Sequence, residues 1–159
     1  MKTVPAAAFL VLAGILASPP TVAAEPAMNT SSELSSDILG SWAFSTDDYA
    51  YGYCQMTGTM TVFPSRDRDD VFDCELTAVE VCGGARSVVA QTCEIRAEGD
   101  QYLVESEIEQ FIERMPDVIG EYLPDHFVLT DVSADEMIGQ LLSASTAPVR
   151  FVRNEGNIS

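Results

Sequence analysis

One cluster of carboxylates in this 159-residue chain could bind a metal ion. Asp67, Asp69 and Asp70 lie within one short polar segment, and carboxylate oxygens are the ligands that calcium prefers. The spacing departs from the EF-hand loop, which needs Gly at its sixth position and Glu at its twelfth, where this sequence has Phe72 and Ala78. We interpret the segment as a solvated hairpin loop, and the sequence predicts neither a metal site nor a cofactor.

Acid–base catalysis would need paired carboxylates or a histidine. Glu105, Glu107 and Glu109 alternate with apolar residues, so we expect them to form the solvent-exposed side of a strand. His126, the only histidine, adjoins Asp125, but neighbouring residues of a strand point to opposite faces, which argues against a dyad. Because the sequence also lacks a phosphate-binding loop, a nucleophile elbow and a zinc-binding helix motif, we expect a protein that is not an enzyme.

Four cysteines are expected to form two disulfides, because their spacing contains no C-x₂-C knuckle of a zinc site. If Gly83 and Gly84 form a two-residue hairpin turn, Cys74 faces Cys93 on the paired strand. A turn centred on residue 68 likewise places Cys54 opposite Cys82. The predicted disulfides are therefore Cys54–Cys82 and Cys74–Cys93. A hairpin of this kind puts Cys74 and Cys93 in a hydrogen-bonded pair, which favours a bulge nearby.

The elements that position these residues are predicted to be β-strands, because apolar and polar residues alternate with a period of two. The alternation is clearest in residues 54–62, 72–78 and 102–109. Weaker patterns predict five further strands, at 42–44, 88–96, 127–130, 137–142 and 149–153. Eight strands joined mostly by short turns predict an all-β fold, a small antiparallel up-and-down barrel, since closure removes the exposed edges of the sheet.

One connection of this barrel, residues 110–125, is longer than the others. It carries apolar residues at roughly helical spacing, which Pro116 and Gly120 interrupt. We expect a short helical or irregular insertion there, which either closes one end of the barrel or acts as a mobile lid.

Five apolar side chains on inward faces of the predicted strands could line a ligand pocket: Met56, Met60, Tyr102, Phe127 and Phe151. An eight-stranded barrel is just wide enough to be filled by its own side chains. These residues therefore form either an ordinary core or a cavity for a small apolar ligand.

The N-terminal residues predict an export signal. Lys2 precedes an apolar run at 6–17, and Val22 and Ala24 supply the small residues of a cleavage site after Ala24. The run is too short to span a bilayer, so no membrane span is expected. The predicted organisation is a signal peptide at 1–24, a flexible polar arm at 25–36, a barrel domain at 37–154 and a tail at 155–159. We expect a periplasmic or secreted monomer.

The charge of the chain restricts its partners. Lys and Arg number 8 against 25 Asp and Glu, which gives a net charge of −17. A surface this acidic repels phosphate backbones and anionic lipids, so a nucleic-acid partner is not expected.

The triplet at 40–42 ends in Trp42 and resembles the G-x-W motif of lipocalins, which stands where the chain enters the first barrel strand. Lipocalins also carry an arginine on or after the last strand that packs over this tryptophan. Arg150 or Arg153 stands in the matching place. The resemblance implies a calycin-like barrel that binds rather than catalyses, with Trp42 and one arginine in a structural role.

Two further resemblances are partial. Thr130-Asp131 resembles the start of the lipocalin T-D-Y motif in the turn between the sixth and seventh strands, with Val132 in place of the tyrosine. Residues 38–42 with the preceding polar arm resemble bacterial periplasmic inhibitors of metalloproteases. In that family the free N-terminal arm enters the protease active site, and residues 25–36 could be such an arm.

Together these observations predict an exported, non-catalytic binding protein for a small apolar ligand or a protein partner. Two alternatives remain. The first is a periplasmic inhibitor of a protease or another hydrolase that acts through the arm, and the second is a structural component of the envelope.

Overall fold

The computed structural model describes residues 34–114 and 122–154. A 3-10 helix at Ser36–Ile38 precedes eight strands. These are β1 (Gly40–Thr46), β2 (Cys54–Pro64), β3 (Val71–Cys82), β4 (Ala85–Glu98), β5 (Gln101–Glu113), β6 (His126–Val132), β7 (Glu136–Leu142) and β8 (Thr146–Arg153). Each strand pairs with the next, and β1 pairs with β8 to close the barrel. The predicted all-β, eight-stranded antiparallel barrel is confirmed, whereas the predicted signal peptide, most of the arm and the tail lie outside the described residues.

Alternating burial explains why these segments form one closed sheet. In β2, Cys54, Met56, Met60 and Val62 are buried while the residues between them are exposed or half-buried. Every second side chain thus enters a shared core, and the polar side chains between them face water. The core extends along the barrel from Ile38, in the 3-10 helix that precedes β1, to Cys54 and Met56 at the start of β2.

The turn between β3 and β4 sets the register that brings the cysteines together. Gly83 and Gly84 have φ angles of 58° and 89°, which a two-residue hairpin turn requires and glycine adopts without strain. Cys74 then pairs with Cys93, with Cα atoms 4.8 Å apart. Cys54 pairs with Cys82, with Cα atoms 4.1 Å apart. Both predicted disulfides are confirmed. The expected bulge beside Cys74 is not found, since the register of β3 and β4 is continuous.

Bulges occur one strand pair further on, between β4 and β5. Gln91 pairs with Ile108 and Ala90 with Gln110, which leaves Glu109 as an extra residue on β5. A second shift follows, between Val88 and Val89. These irregularities let β5 continue to Glu113, so residues 110–113 belong to this strand and not to an insertion.

The junction between β5 and β6 is short. Three residue pairs join the two strands, from Tyr102 with Leu129 to Val104 with Phe127. The part of β5 beyond Val104 therefore extends past the start of β6, and residues 122–125, which have no regular secondary structure, lie beside it. Residues 115–121 of the predicted insertion are outside the described residues.

The two ends of the barrel differ. At the plugged end, where β1 begins and β8 finishes, the 3-10 helix covers the core with Ile38. Ser35, which was assigned to the arm, caps this helix and also donates its backbone N–H to the Tyr102 hydroxyl. At the opposite end, here called the Asp125 end, β1, β3, β5 and β7 finish and residues 122–125 lead into β6.

The Thr130-Asp131 dipeptide is not in a turn. It lies within β6, where the register shifts between Leu129 and Asp131, and the turn to β7 follows at 133–135. The expected correspondence with a lipocalin turn motif is therefore wrong at this position.

Candidate functional site

The five apolar side chains predicted to line a pocket lie inside the barrel. Met56, Met60, Phe127 and Phe151 are at most 1% exposed, and the Phe127 and Phe151 rings meet edge to face at 5.3 Å. Phe44 packs against both rings. Met60 and the half-buried Tyr102 lie toward the plugged end, whereas Met56 and Phe127 lie toward the Asp125 end. The structure thus spreads these residues along the barrel and packs them in its core.

Of the two arginines considered for Trp42, Arg153 lies over the indole, with its guanidinium carbon 4.1 Å from the ring centroid. Its guanidinium also donates to the carbonyl oxygens of Leu39 (2.9 Å), Asp37 (2.5 Å) and Ala134. Arg150 instead pairs with Glu136 on the outer surface.

The indole N–H of Trp42 donates to the Ile38 carbonyl oxygen at 2.8 Å. The indole and the Arg153 guanidinium together fasten the 3-10 helix over the plugged end.

A polar cluster is buried at the Asp125 end, and Asp125 is its centre. The residue is fully buried, and its Oδ2 accepts hydrogen bonds from Gln91 Nε2 (2.5 Å) and the Tyr122 hydroxyl (2.7 Å). Its backbone N–H donates to Gln91 Oε1 at 3.0 Å, and its carbonyl oxygen accepts from the Ser106 hydroxyl at 2.8 Å. Gln91 and Ser106 are themselves buried on β4 and β5. The cluster therefore replaces the missing pairing between β5 and the chain that enters β6.

The second carboxylate oxygen of Asp125 has no partner. Oδ1 is the one buried side-chain polar atom of residues 34–114 and 122–154 without a hydrogen bond. The Ser143 hydroxyl lies close enough to lower the pKa of Asp125, yet it donates to the Leu123 carbonyl oxygen at 3.2 Å. One hydroxyl hydrogen cannot serve both acceptors. Buried carboxylates are ordinarily paired or fully hydrogen-bonded, so this oxygen marks a place for a further donor.

Burial dominates the ionisation of Asp125. Loss of water raises the pKa of the carboxyl from 3.8 to about 6, against the hydrogen bonds from Tyr122 and Gln91 and the nearby Ser143 hydroxyl, which lower it. The negative charge of Glu80 adds to the increase. Near neutral pH the carboxyl is thus ionised at a free-energy cost, because no cationic side chain of the described residues pairs with it.

A second tyrosine–carboxylate pair lies next to this one. The Tyr49 hydroxyl donates to Glu80 Oε1, and Glu80 is half-buried on β3. Burial, followed by this hydrogen bond and the charges of Glu80 and Asp125, raises the pKa of Tyr49 well above its ordinary value. Burial and then Asp125 raise the pKa of Tyr122 in the same way. Both tyrosines therefore remain uncharged phenols that donate to a carboxylate.

Apolar side chains surround the cluster. The Tyr122 ring packs edge to face against Phe111 of β5, with 5.8 Å between centroids. Phe127 follows Asp125 on the same inward face and pairs with Leu141 of β7. An apolar surround with a few converging polar groups and a carboxyl of shifted pKa is typical of small-molecule sites.

The sequence-predicted acid and histidine candidates lie on the outer surface. A concave region of about 660 Å³ covers β3, β4 and β5, and its carboxylates are Asp73, Glu75, Glu94, Glu105 and Glu107. Glu94 and Glu105 pair with Arg68 and Arg96. His126 borders this region, and its Nδ1 accepts the backbone N–H of Ser106 at 3.0 Å. His126 and Asp125 thus lie on opposite sides of the barrel wall.

Within the described part of the chain, one group of residues has ligand atoms close enough for a metal ion: Cys54, Glu80 and Cys82. The two sulfurs are joined in a disulfide, so neither is a free thiolate ligand. Asp67, Asp69 and Asp70 are exposed in the β2–β3 loop, as predicted for a solvated turn.

Sequence reasoning missed the buried cluster. No sequence motif marks Tyr49, Glu80 or Gln91, and the sequence relates Asp125 to His126 alone. One signal was present: Gln91 and Ser106 are polar residues at inward positions of otherwise apolar strand faces.

Comparisons with known proteins establish similarity of fold. No protein-family model and no curated protein sequence matches this chain. A solved designed protein, described as a "De novo design of a fluorescence-activating beta barrel", is similar, with a TM-score of 0.52 and 14% sequence identity. The match covers 73% of this chain and 93% of the designed one. It supports a lipocalin-like barrel fold and shows no membership of the calycin family.

Two further findings concern the surroundings of the protein. The described segments contain no helix with the length and hydropathy needed to cross a bilayer. The two disulfides are consistent with an oxidising compartment outside the cytoplasm.

Proposed function

We propose that this chain is an exported, non-catalytic binding protein that holds a small, largely apolar molecule at the Asp125 end of its barrel. The observation that carries this proposal is the buried oxygen Asp125 Oδ1, which has no hydrogen-bond partner although the carboxyl is fully buried. A bound molecule that donates a hydrogen bond there would satisfy it.

The contrast between the two barrel ends supports this location. At the plugged end, Trp42, Arg153 and the 3-10 helix satisfy one another's polar groups and cover the core. At the Asp125 end, by contrast, one carboxylate oxygen has no hydrogen-bond partner, and Tyr122, which donates to the other, packs against Phe111. The four apolar residues Met56, Met60, Phe127 and Phe151 are already packed, so a ligand seated among them would have to displace core contacts.

Binding rather than catalysis is supported by where the reactive groups lie. Asp125 is inside the barrel, whereas His126, the chain's only histidine, is on the outer acidic surface. General acid–base catalysis needs such groups to face one substrate.

Export is supported by the signal-like N-terminus and by the two disulfides. The resemblance of Trp42 and Arg153 to the lipocalin tryptophan–arginine pair supports a calycin-like origin of the barrel.

The proposal can be tested with N-phenyl-1-naphthylamine, an uncharged dye whose emission increases in apolar surroundings. We expect saturable 1:1 binding to the folded protein, a stoichiometry that one buried site implies. Tyr122→Ala should weaken binding at least about 10-fold, because it removes one wall of the site. Tyr102→Ala is the matched control at the plugged end and should change the affinity less than about 2-fold.

Each other outcome has a definite meaning. Absence of saturable dye binding to the folded protein would contradict the proposed function. A larger effect of Tyr102→Ala would place the ligand on the apolar face near the plug and contradict the proposed location. If the dye does not bind and deletion of residues 25–36 abolishes inhibition of a metalloprotease, the protein is instead an inhibitor that acts through its N-terminal arm.

A further inference from the structure

The hydroxyl hydrogens of both tyrosines near Asp125 are already committed. The Tyr122 hydroxyl donates to Asp125 Oδ2 and the Tyr49 hydroxyl donates to Glu80 Oε1. Gln91 uses both its amide nitrogen and its amide oxygen on Asp125. The buried atom that remains without a partner is an acceptor, Asp125 Oδ1, and the phenol oxygens beside the cluster also keep lone pairs. The complementary group is one that donates a hydrogen bond to this oxygen.

The negative charge of the cluster also favours a ligand that donates hydrogen bonds, and in particular a cation. Two carboxylates lie close enough that Glu80 raises the pKa of Asp125, and Asp125 raises that of Tyr49. The arginines with ion pairs in the described residues are paired on the outer surface with Glu94, Glu113, Glu105 and Glu136. A buried anionic group without a cation is costly, and a cation supplied by a ligand would remove that cost.

The rings around the cluster suit a cation with an apolar body. Tyr122 and Phe111 form an edge-to-face pair, and the guanidinium carbon of Arg114 lies 4.8 Å from the Phe111 centroid. Aromatic faces attract cations because of their quadrupole, and the Arg114 guanidinium already occupies one face of Phe111 in this way.

On these grounds we propose that the ligand of this site is an organic ammonium ion with an aromatic or aliphatic body, whose N–H group donates to Asp125 Oδ1. This inference rests on the proposed function and gives the chemical class of its ligand. An ammonium group offers donors alone, carries the missing positive charge and leaves its apolar body to the surrounding rings.

The test compares two probes that share a skeleton. 2-Phenylethylammonium and 2-phenylethanol would be titrated into the folded chain by calorimetry at about pH 7.5 in about 0.15 M salt, which screens the diffuse attraction of an acidic protein. We expect the ammonium ion to bind at least about 10-fold more tightly than the alcohol. Asp125→Asn should reduce this preference to less than about 2-fold, with circular dichroism confirming the fold.

Glu107→Gln is the matched control, because it removes one negative charge from the outer acidic surface and leaves the buried cluster intact. We expect the preference for the ammonium ion to persist in this variant. Equal loss of preference in both variants would show diffuse electrostatic attraction and overturn the inference.

The affinities of the two probes for the wild-type protein test the ammonium assignment even if a variant fails to fold. If the alcohol and the ammonium ion bind wild type equally, the binding function stands and the ammonium assignment is wrong. If neither probe nor the uncharged dye binds, the proposed function and the inference both fall.

Discussion

Replacing Asp125 with asparagine should stabilise the unliganded protein at high pH and leave it nearly unchanged at low pH. Asparagine has almost the shape of aspartate, and its carbonyl oxygen can accept the hydrogen bonds that Gln91 and Tyr122 donate to Oδ2. It carries no charge, so it removes the cost of an ionised group in a buried position.

The magnitude follows from the pKa of the carboxyl. Its pKa rises from 3.8 to about 6 on folding, and each pH unit of such a rise corresponds to about 1.4 kcal/mol. Because the folded protein holds this proton more tightly than the unfolded chain, the stability that protonation gives is complete below pH 3.8 and is lost as the pH rises through about 6. Above about pH 7 the ionised carboxyl therefore lowers the free energy of unfolding by about 3 kcal/mol.

Urea unfolding of wild type and Asp125→Asn at about pH 4 and about pH 8 measures this effect. The variant should gain about 2.5 kcal/mol relative to wild type between the two pH values. Asp69→Asn, in the exposed β2–β3 loop, is the control for a general change in net charge and should show a difference below about 0.5 kcal/mol. A stability difference between Asp125→Asn and wild type that does not change with pH would show that ionisation of Asp125 does not destabilise the folded protein.

Two further predictions concern the scaffold. Replacing Cys74 and Cys93 by alanine should lower the free energy of unfolding by about 3 kcal/mol, because the disulfide closes a loop with a sequence separation of 19; a loss below about 1 kcal/mol in urea unfolding would contradict the estimate. Arg153→Ala should cost about 2 kcal/mol, since it removes the stacking on Trp42 and the hydrogen bonds to the carbonyl oxygens. Arg150→Ala, which breaks an exposed ion pair, should cost less than about 1 kcal/mol in the same assay. Equal losses in the two variants would show that the contacts of Arg153 add no more stability than an exposed ion pair.

The barrel could be predicted from the sequence because its strongest signals are local. An alternation with a period of two marks β2, β3 and most of β5, and Gly83-Gly84 fixes the turn that aligns β3 with β4. Once this register is known, the pairing of Cys74 with Cys93 follows.

The prediction failed where the register is irregular. Bulges at Glu109 and between Val88 and Val89 break the alternation, so the end of β5 was interpreted as part of an insertion. β6 also has a register shift, between Leu129 and Asp131, and continues through Asp131, where a turn was expected. A bulge is decided by the contacts of both strands, and a single strand's sequence carries little trace of it.

The candidate site could not be predicted, because its contacts join distant parts of the chain. Gln91 and Asp125 are 34 residues apart in sequence, and Tyr49 and Glu80 are 31 apart. Asp125 also precedes β6, where no alternation indicates which way it points. Inward polar residues such as Gln91 and Ser106 are the feature in a sequence like this one that signals a buried polar cluster.

A crystal structure of the protein with 2-phenylethylammonium would show where the cation binds. We expect the ammonium nitrogen within about 3 Å of Asp125 Oδ1, with the phenyl ring against Tyr122 and Phe111. An ammonium ion bound instead among Glu94, Glu105 and Glu107 on the outer surface, or a water molecule on Oδ1 in crystals saturated with the probe, would contradict an ammonium site at Asp125.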